Sequence, residues 1–240
     1  MDISLEELEI GDLANLFLQR PSPVHGTLSG AAKLSGTGFT SALMEATCKI
    51  DELNLQAYNH QISNTSPIDF KSHNNNITSL LPLQVSSSIM ETKVDVNFDG
   101  PFTTPNISAK WQGTLNHLLQ KETESLLQWH GDVKYADKQI KLDRIELTNN
   151  GNILTLNGII PFALPFANLN ISERFIDAPI NVQLTGKELP LTFFPWLDYI
   201  FSEAEGVTDI SLTLQGTTRT PYLKGNVFLF APHLRPKSFT

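Results

Sequence analysis

VTDISLTLQGTTRTPYLKGNVFLF, residues 207–230, sets a pattern that the rest of the chain repeats more loosely. Ile210, Leu212 and Leu214 alternate with polar residues up to Gly216, the period-two signature of a half-buried strand. A short polar linker then reaches Pro221, and Leu223, Gly225, Val227 and Leu229 begin a second run of the same period. The reading is strand, Gly-containing corner, strand. VDVNFDGPFTTPNISAKW, residues 94–111, follows the same grammar: Val94, Val96 and Phe98 alternate up to Gly100, Pro105 follows, and Ile107, Ala109 and Trp111 resume. In both copies Pro lies five residues after Gly and the next apolar position lies seven after it. A looser copy, HGTLSGAAKLSGTGFTSAL, keeps Leu34, Gly36 and Leu43 but has Ser41 in place of Pro. The spacing varies too much for a fixed-period solenoid, so the repeat is a strand-corner-strand unit.

Elsewhere the segments are short, alternating and bounded by turn residues. Leu127, Trp129, Gly131, Val133 and Tyr135 share one parity and form the longest clean strand. Ala136-Asp137-Lys138 turns it into Ile140 and Leu142, after which Ile145 and Leu147 take the opposite parity, which predicts a bulge near Asp143-Arg144. Asn149-Asn150-Gly151-Asn152 is the strongest hairpin signal, because Asn and Gly tolerate positive φ, and Leu154, Leu156, Ile160 and Phe162 follow it. Turns are also expected at Tyr58-Asn59-His60-Gln61 and at His73–Asn76.

Near the N-terminus two readings compete. Ser4 and Glu7 make a capping box for a helix, whereas Ile3, Leu5, Leu8 and Ile10 fit a strand with one bulged residue. The second is preferred, with a short helix over Leu13–Leu18 ended by Pro21-Ser22-Pro23, because Gly11 weakens a continuous helix by about 1 kcal/mol. The whole is all-β and mostly antiparallel, and strands lacking fully apolar runs suggest one long curved sheet, greasy on one face and wet on the other. LTFFPWLDYIF, residues 191–201, is the exception; it reads as a short helix closing the apolar face or as a membrane-interface segment rich in aromatics.

Composition narrows the function. A net charge of -8 over 240 residues argues against a nucleic-acid partner, which needs clustered Lys and Arg. The single Cys48 forms no internal disulfide and reads as a small half-buried side chain. No segment is long and apolar enough to span a bilayer, and the acidic start is not a signal peptide, so a protein working outside the cytoplasm is expected to draw its address from an upstream portion.

Reactive groups are not gathered. His25, His60, His73, His117, His130 and His233 lie singly, without metal-ligand spacing. Gly36-Thr37-Gly38 lacks both the third Gly of a dinucleotide loop and a βαβ setting, and neither a nucleophile elbow nor a phosphate loop is present. Acidic neighbours such as Glu6-Glu7 point to opposite faces of a strand. No catalytic residue, metal or cofactor is expected. The N-x-S/T triplets at Asn64, Asn76, Asn106 and Asn170 matter only in a eukaryotic secretory setting.

The phrases ISLEELEIGDLANLF, GTLSGAAKLSGT, KIDELNLQAYNHQISNTSPIDF, LTLNGIIPF and ISLTLQGTTRTPYLKGNV together resemble the C-terminal repeat region of the TamB (translocation and assembly module) proteins and the wider AsmA-like group. The resemblance implies an elongated sheet folded into a U-shaped apolar trough, held by an inner-membrane anchor and spanning the periplasm of a diderm bacterium. It implies conduction of phospholipids between inner and outer membrane in outer-membrane biogenesis, with an outer-membrane β-barrel as a partner of some other part of the protein. It brings no catalytic motif, and neither the anchor nor a barrel-docking segment is evident here.

One continuous segment over 1–240 is therefore expected, in irregular repeats of about 1–60, 61–115 and 116–240. Its acyl-chain lining by parity is Val94, Val96, Phe98, Leu127, Trp129, Val133, Leu154, Leu156, Leu212 and Leu214. Strands near Ile3–Ile10 and Leu223–Phe230 are expected to end the sheet with free edges. The competing expectation is a surface or adhesin-like β-solenoid that binds proteins or glycans; an enzyme is the third.

Overall fold

A computed structural model describes residues 1–11, 24–36, 44–101, 104–115, 127–164, 175–194, 197 and 200–237. The described residues are nearly all β, and fourteen strands among them form an antiparallel sheet. They divide into two compact units, one within Met1–Gly113 with Lys134–Asp137 and one within Thr114–Val133 with Lys138–Leu164 and the described residues from 175 onward.

The first unit holds β1 (Asp2–Glu9), β2 (Val24–Gly36), β3 (Met44–Ala57), β4 (His60–Asn64), β5 (Ile68–His73), β6 (Asn76–Ser87), β7 (Met90–Pro101) and most of β8 (Asn106–Leu115). Strand order follows the sequence, except that β4 and β5 share the slot between β3 and β6. β1 is a strand, with a register shift between Leu5 and Leu8 and Glu7 at φ 47°. The preferred N-terminal reading is met over Asp2–Glu9, whereas Ile10, expected as the last apolar position of the strand, is already helical with Gly11; the helix at Leu13–Leu18 and Pro21–Pro23 lie outside the described residues. The turns are tighter than the sequence suggested at one place: Ala57 pairs with His60, so only Tyr58 and Asn59 turn the chain. Asn74 and Asn75 turn it again with φ of 48° and 64°, the mirror-image geometry that suits a twisted hairpin.

The split between β4 and β5 is closed by one side chain. Gly30 pairs with Ile50 and Ser29 with Glu52, leaving Asp51 bulged out of the ladder. Asn64 fills the gap: its Oδ1 accepts from the Leu53 N–H at 2.8 Å, and its Nδ2 donates to the carbonyls of Asp51 at 3.1 Å and Ser66 at 3.0 Å. A broken ladder next to a buried leucine would otherwise strand backbone polar groups.

The second unit holds most of β9 (Leu127–Ala136) and β10 (Gln139–Asn149), β11 (Asn152–Pro161), β12 (Asn181–Pro190), β13 (Phe201–Gly216) and β14 (Pro221–Pro236), in sequence order. Asn150 and Gly151, with φ of 48° and 83°, close the β10–β11 hairpin where Asn149 pairs with Asn152. The register shift between Leu142 and Ile145 lies at the parity break in the sequence.

A second shift, between Gly186 and Leu189, builds the core of this unit. Glu188 takes φ 50° and its N–H donates to Asp209 Oδ1 at 2.7 Å, which turns Leu189 inward to 0% exposure. Gly186 makes the room: a Cβ there would stand 2.5 Å from Leu189 Cδ1 and 3.1 Å from Leu154 Cδ1. Leu189 packs with Leu127 and Phe193, against which Leu115, Leu147, Leu154, Phe194 and Ile210 lie. Phe193 belongs to a short 3-10 turn, Leu191–Phe193, whose Leu191 is also buried. That segment closes over apolar side chains; Pro195, Trp196, Asp198 and Tyr199 lie outside the described residues.

Candidate functional site

Residues directly opposite in an antiparallel pair share a face, so the pairing register sorts the side chains. In the first unit Val94 stands opposite Leu83, Val96 opposite Leu81 and Phe98 opposite Ser79. The same face continues through Ile62 opposite Val85, Leu55 opposite Ile62, Ile50 opposite Ile68 and Cys48 opposite Phe70, and reaches Leu8 opposite Leu28. The other face carries Lys49, Asp51, Lys71, Lys93, Asp95 and Asp99, with Lys49 and Asp51 ion-paired at 2.6 Å.

In the second unit Leu156 stands opposite Ile145 on one side and Leu184 on the other, and Leu184 opposite Leu212. Leu154 lies opposite Leu147 and Gly186, and Leu214 between Val182 and Leu223. Leu127 belongs to the core cluster against which Leu154 packs, and strand alternation gives Trp129 and Val133 the same parity as Leu127. Register therefore gathers Val94, Val96 and Phe98 on one face of the first unit and Leu154, Leu156, Leu212 and Leu214 on one face of the second, while Trp129 and Val133 share the β9 parity of Leu127.

How far these faces are covered differs. The first unit buries only Leu53, Ile68 and Tyr135 among its described large apolar residues, and Val94, Val96 and Phe98 remain half-buried. A face packed under a second layer would be buried throughout, so much of this one stays accessible. The second unit is partly closed by the Leu191–Phe193 turn, beneath which lies a cavity of about 220 Å³. Leu191, Phe194, Leu197, Phe201, Ile210, Val227, Leu229 and Leu234 line it, with Thr208 as the lone polar residue. The Thr208 hydroxyl is spent, donating to the Phe228 carbonyl at 3.0 Å. This cavity offers hydrocarbon contact and no directed polar bond, as suits a ligand held by area rather than by a headgroup.

Among the described residues, groups able to do bond-making chemistry are dispersed or engaged. Cys48 faces the apolar side, and burial pushes its thiol pKa up, away from the thiolate a nucleophile needs. Glu146 is almost fully buried; His130 Nε2 meets its carboxylate at 2.8 Å and Arg144 Nε donates to it as well. That trio satisfies a buried charge, and the sequence hid it, because the two β10 partners alternate across a bulge and the third comes from another strand. His73 and His233 pair with Glu45 and Glu203 on exposed surface. Among the described residues no group of three or more His, Cys, Asp or Glu is placed to hold a metal ion, and no helix is long and apolar enough to cross a membrane.

A separate polar depression of about 700 Å³ in the first unit is lined by Glu9, His25, Asn54, Gln56, His60, Gln61 and Ser86, among others. It lies on the wet side of the strands. The chain matches no protein-family model, no curated protein and no solved structure.

Proposed function

We propose that this chain is a non-catalytic segment of a periplasm-spanning, inner-membrane-anchored protein that conducts phospholipids between the two membranes through an apolar trough. The observation that carries the reading is segregation by register: most Leu, Ile, Val and Phe side chains occupy one face of successive strands while most charges occupy the other, with Leu80, Ile153, Ile159, Phe228 and Phe230 as exceptions on the wet side. A globular sandwich would cover such a face; here it stays half-open in the first unit and lines a half-open apolar cavity in the second. Each methylene that an acyl chain lays against such a surface contributes about 0.8 kcal/mol. Without directed polar bonds along the path, successive positions differ little in energy and a chain can slide. The resemblance to the TamB and AsmA-like proteins points the same way and supplies the periplasmic setting. Docking to an outer-membrane barrel would fall to another part of the protein.

The reading is tested by mass spectrometry of organic extracts from protein purified without detergent from a diderm host. Phospholipid in near-stoichiometric amount is expected. Protein that is folded but free of lipid, and that takes none up from vesicles, would favour a surface protein binding proteins or glycans.

A further inference from the structure

The chain contains two Asn-Gly pairs, Asn150-Gly151 and Asn157-Gly158, both within the β10–β11 hairpin. Asn is a chemically labile residue, and Asn before Gly is the arrangement most open to attack by the main chain on its own side chain. The backbone nitrogen of the second residue reaches the amide carbon of the first and closes a five-membered ring, and Gly puts no Cβ in the way. Identical in sequence, the two pairs are treated differently by the fold.

Asn150 and Gly151 are the two turn residues between β10 and β11, outside the ladder that ends at the Asn149–Asn152 pair. Both are exposed, both have positive φ, and nothing lies within 4 Å of where a Gly151 Cβ would stand. Rotation about Asn150 therefore disturbs little beyond the last pair of the hairpin, the low-cost end of local opening. Asn157 and Gly158 lie inside β11. Gly158 stands between Leu142 of β10 and Val182 of β12, and a Cβ there would meet the Asn181 carbonyl oxygen at 2.3 Å and Val182 Cα at 2.6 Å. With a strand on each side, its nitrogen reaches the Asn157 side chain only after the ladder has come apart.

We propose that Asn150 is a site of spontaneous covalent modification, deamidation through a cyclic imide, which converts the Asn150-Gly151 turn to aspartate and isoaspartate while Asn157 stays intact in the folded protein. The Gly151 nitrogen gives up its proton and bonds to Asn150 Cγ; the Cγ–Nδ2 bond breaks, and Nδ2 leaves as ammonia with that proton. Water then adds to one of the two ring carbonyls, its hydroxyl going to carbon and its proton to the nitrogen. Breaking the bond from nitrogen to Cγ gives aspartate; breaking the bond from nitrogen to the main-chain carbonyl carbon gives isoaspartate, whose chain runs through Cγ and is one methylene longer. Either product adds a negative charge. Isoaspartate also lengthens a turn that Asn149 and Asn152 hold at two residues, through their pairing and the Asn152 Nδ2 bond to the Asn149 carbonyl at 3.3 Å, so the tip of the hairpin loosens. The inference is independent of what the apolar face carries.

Peptide mapping by mass spectrometry is the test, on the 240-residue chain held folded in warm neutral buffer and on the same chain unfolded in guanidinium chloride. In the unfolded chain both Asn-Gly pairs are expected to convert at comparable rates. In the folded protein Asn150 is expected to convert and Asn157 to lag at least about tenfold, the ratio that an opening cost of ~1.4 kcal/mol produces. Isoaspartate is read separately by methylation with an isoaspartate-specific methyltransferase, and Asn150→Gln, whose side chain would have to close a larger ring, is expected to remove most of the label from aged folded protein. Asn157 converting as fast as Asn150 in folded protein would overturn the proposal. So would Asn150 staying intact over a time in which the unfolded chain converts at both pairs, or labelling undiminished in the Asn150→Gln protein.

Discussion

Leu189→Ala is expected to destabilise the protein by about 2–5 kcal/mol, the range for emptying a closed core position. The residue is fully excluded from solvent, sits over Gly186 and is held there by the Glu188 N–H bond to Asp209. Neighbouring side chains have little freedom to collapse into the space, since Leu127 and Phe193 are themselves fixed by the surrounding apolar residues. Leu223→Ala provides the contrast. That side chain is 65% exposed on β14, and its loss should fall within about 0.5 kcal/mol. Urea denaturation reads both as shifts in midpoint at unchanged slope. Equal midpoints for the two variants would mean that the core of the second unit has been misplaced.

Leu214→Asp is expected to cut lipid loading at least about tenfold, the change that ~1.4 kcal/mol produces. Leu214 lies between Val182 and Leu223 on the apolar face, and a carboxylate there must keep its water at the expense of hydrocarbon contact. Folding should survive, because the position is half-buried and next to the exposed edge strand. Thr213, one residue back, faces the other way between Gln183 and Lys224. Thr213→Asp should leave loading within about a factor of two, the usual effect of a surface change. The measurement is phospholipid per protein in organic extracts of both variants and the parent. Equal losses at 213 and 214 would indicate that loading tracks net charge rather than the face.

The alternation of Ile210, Leu212 and Leu214 was enough to place β13 and the side its apolar residues occupy, because in a strand the period of two leaves no other choice. Two bulges were legible for the same reason: Leu5 to Leu8 and Leu142 to Ile145 each change parity, and the ladder shifts at both. The shift at Gly186–Leu189 leaves the same mark, Val182 and Leu184 on one parity and Leu189 on the other, yet the polar Lys187-Glu188 between them disguises it as a loop. Leu189, the best-buried leucine of the second unit, was consequently missed.

Strand β6 was hidden differently. Leu80-Leu81-Pro82-Leu83 breaks alternation and carries a proline, which argues against a paired strand, but Leu80 turns out to face the wet side, 52% exposed. The sharing of one slot by β4 and β5 depends on Asn64 bonding to backbone groups far along the chain, and no local pattern encodes that. Of the candidate lining, the strand faces followed from parity alone. The half-open apolar cavity did not, since it arises where the Leu191–Phe193 turn folds over β13 and β14.

The central claim is that acyl chains travel along one face of these strands, and site-specific photo-crosslinking at consecutive positions 212, 213 and 214 tests it most directly. With a photoreactive residue at each site in turn, the account predicts lipid adducts at 212 and 214 and none at 213, the strand's own alternation written into the crosslinks. Adducts at all three positions, or at none of them in folded protein, would contradict it.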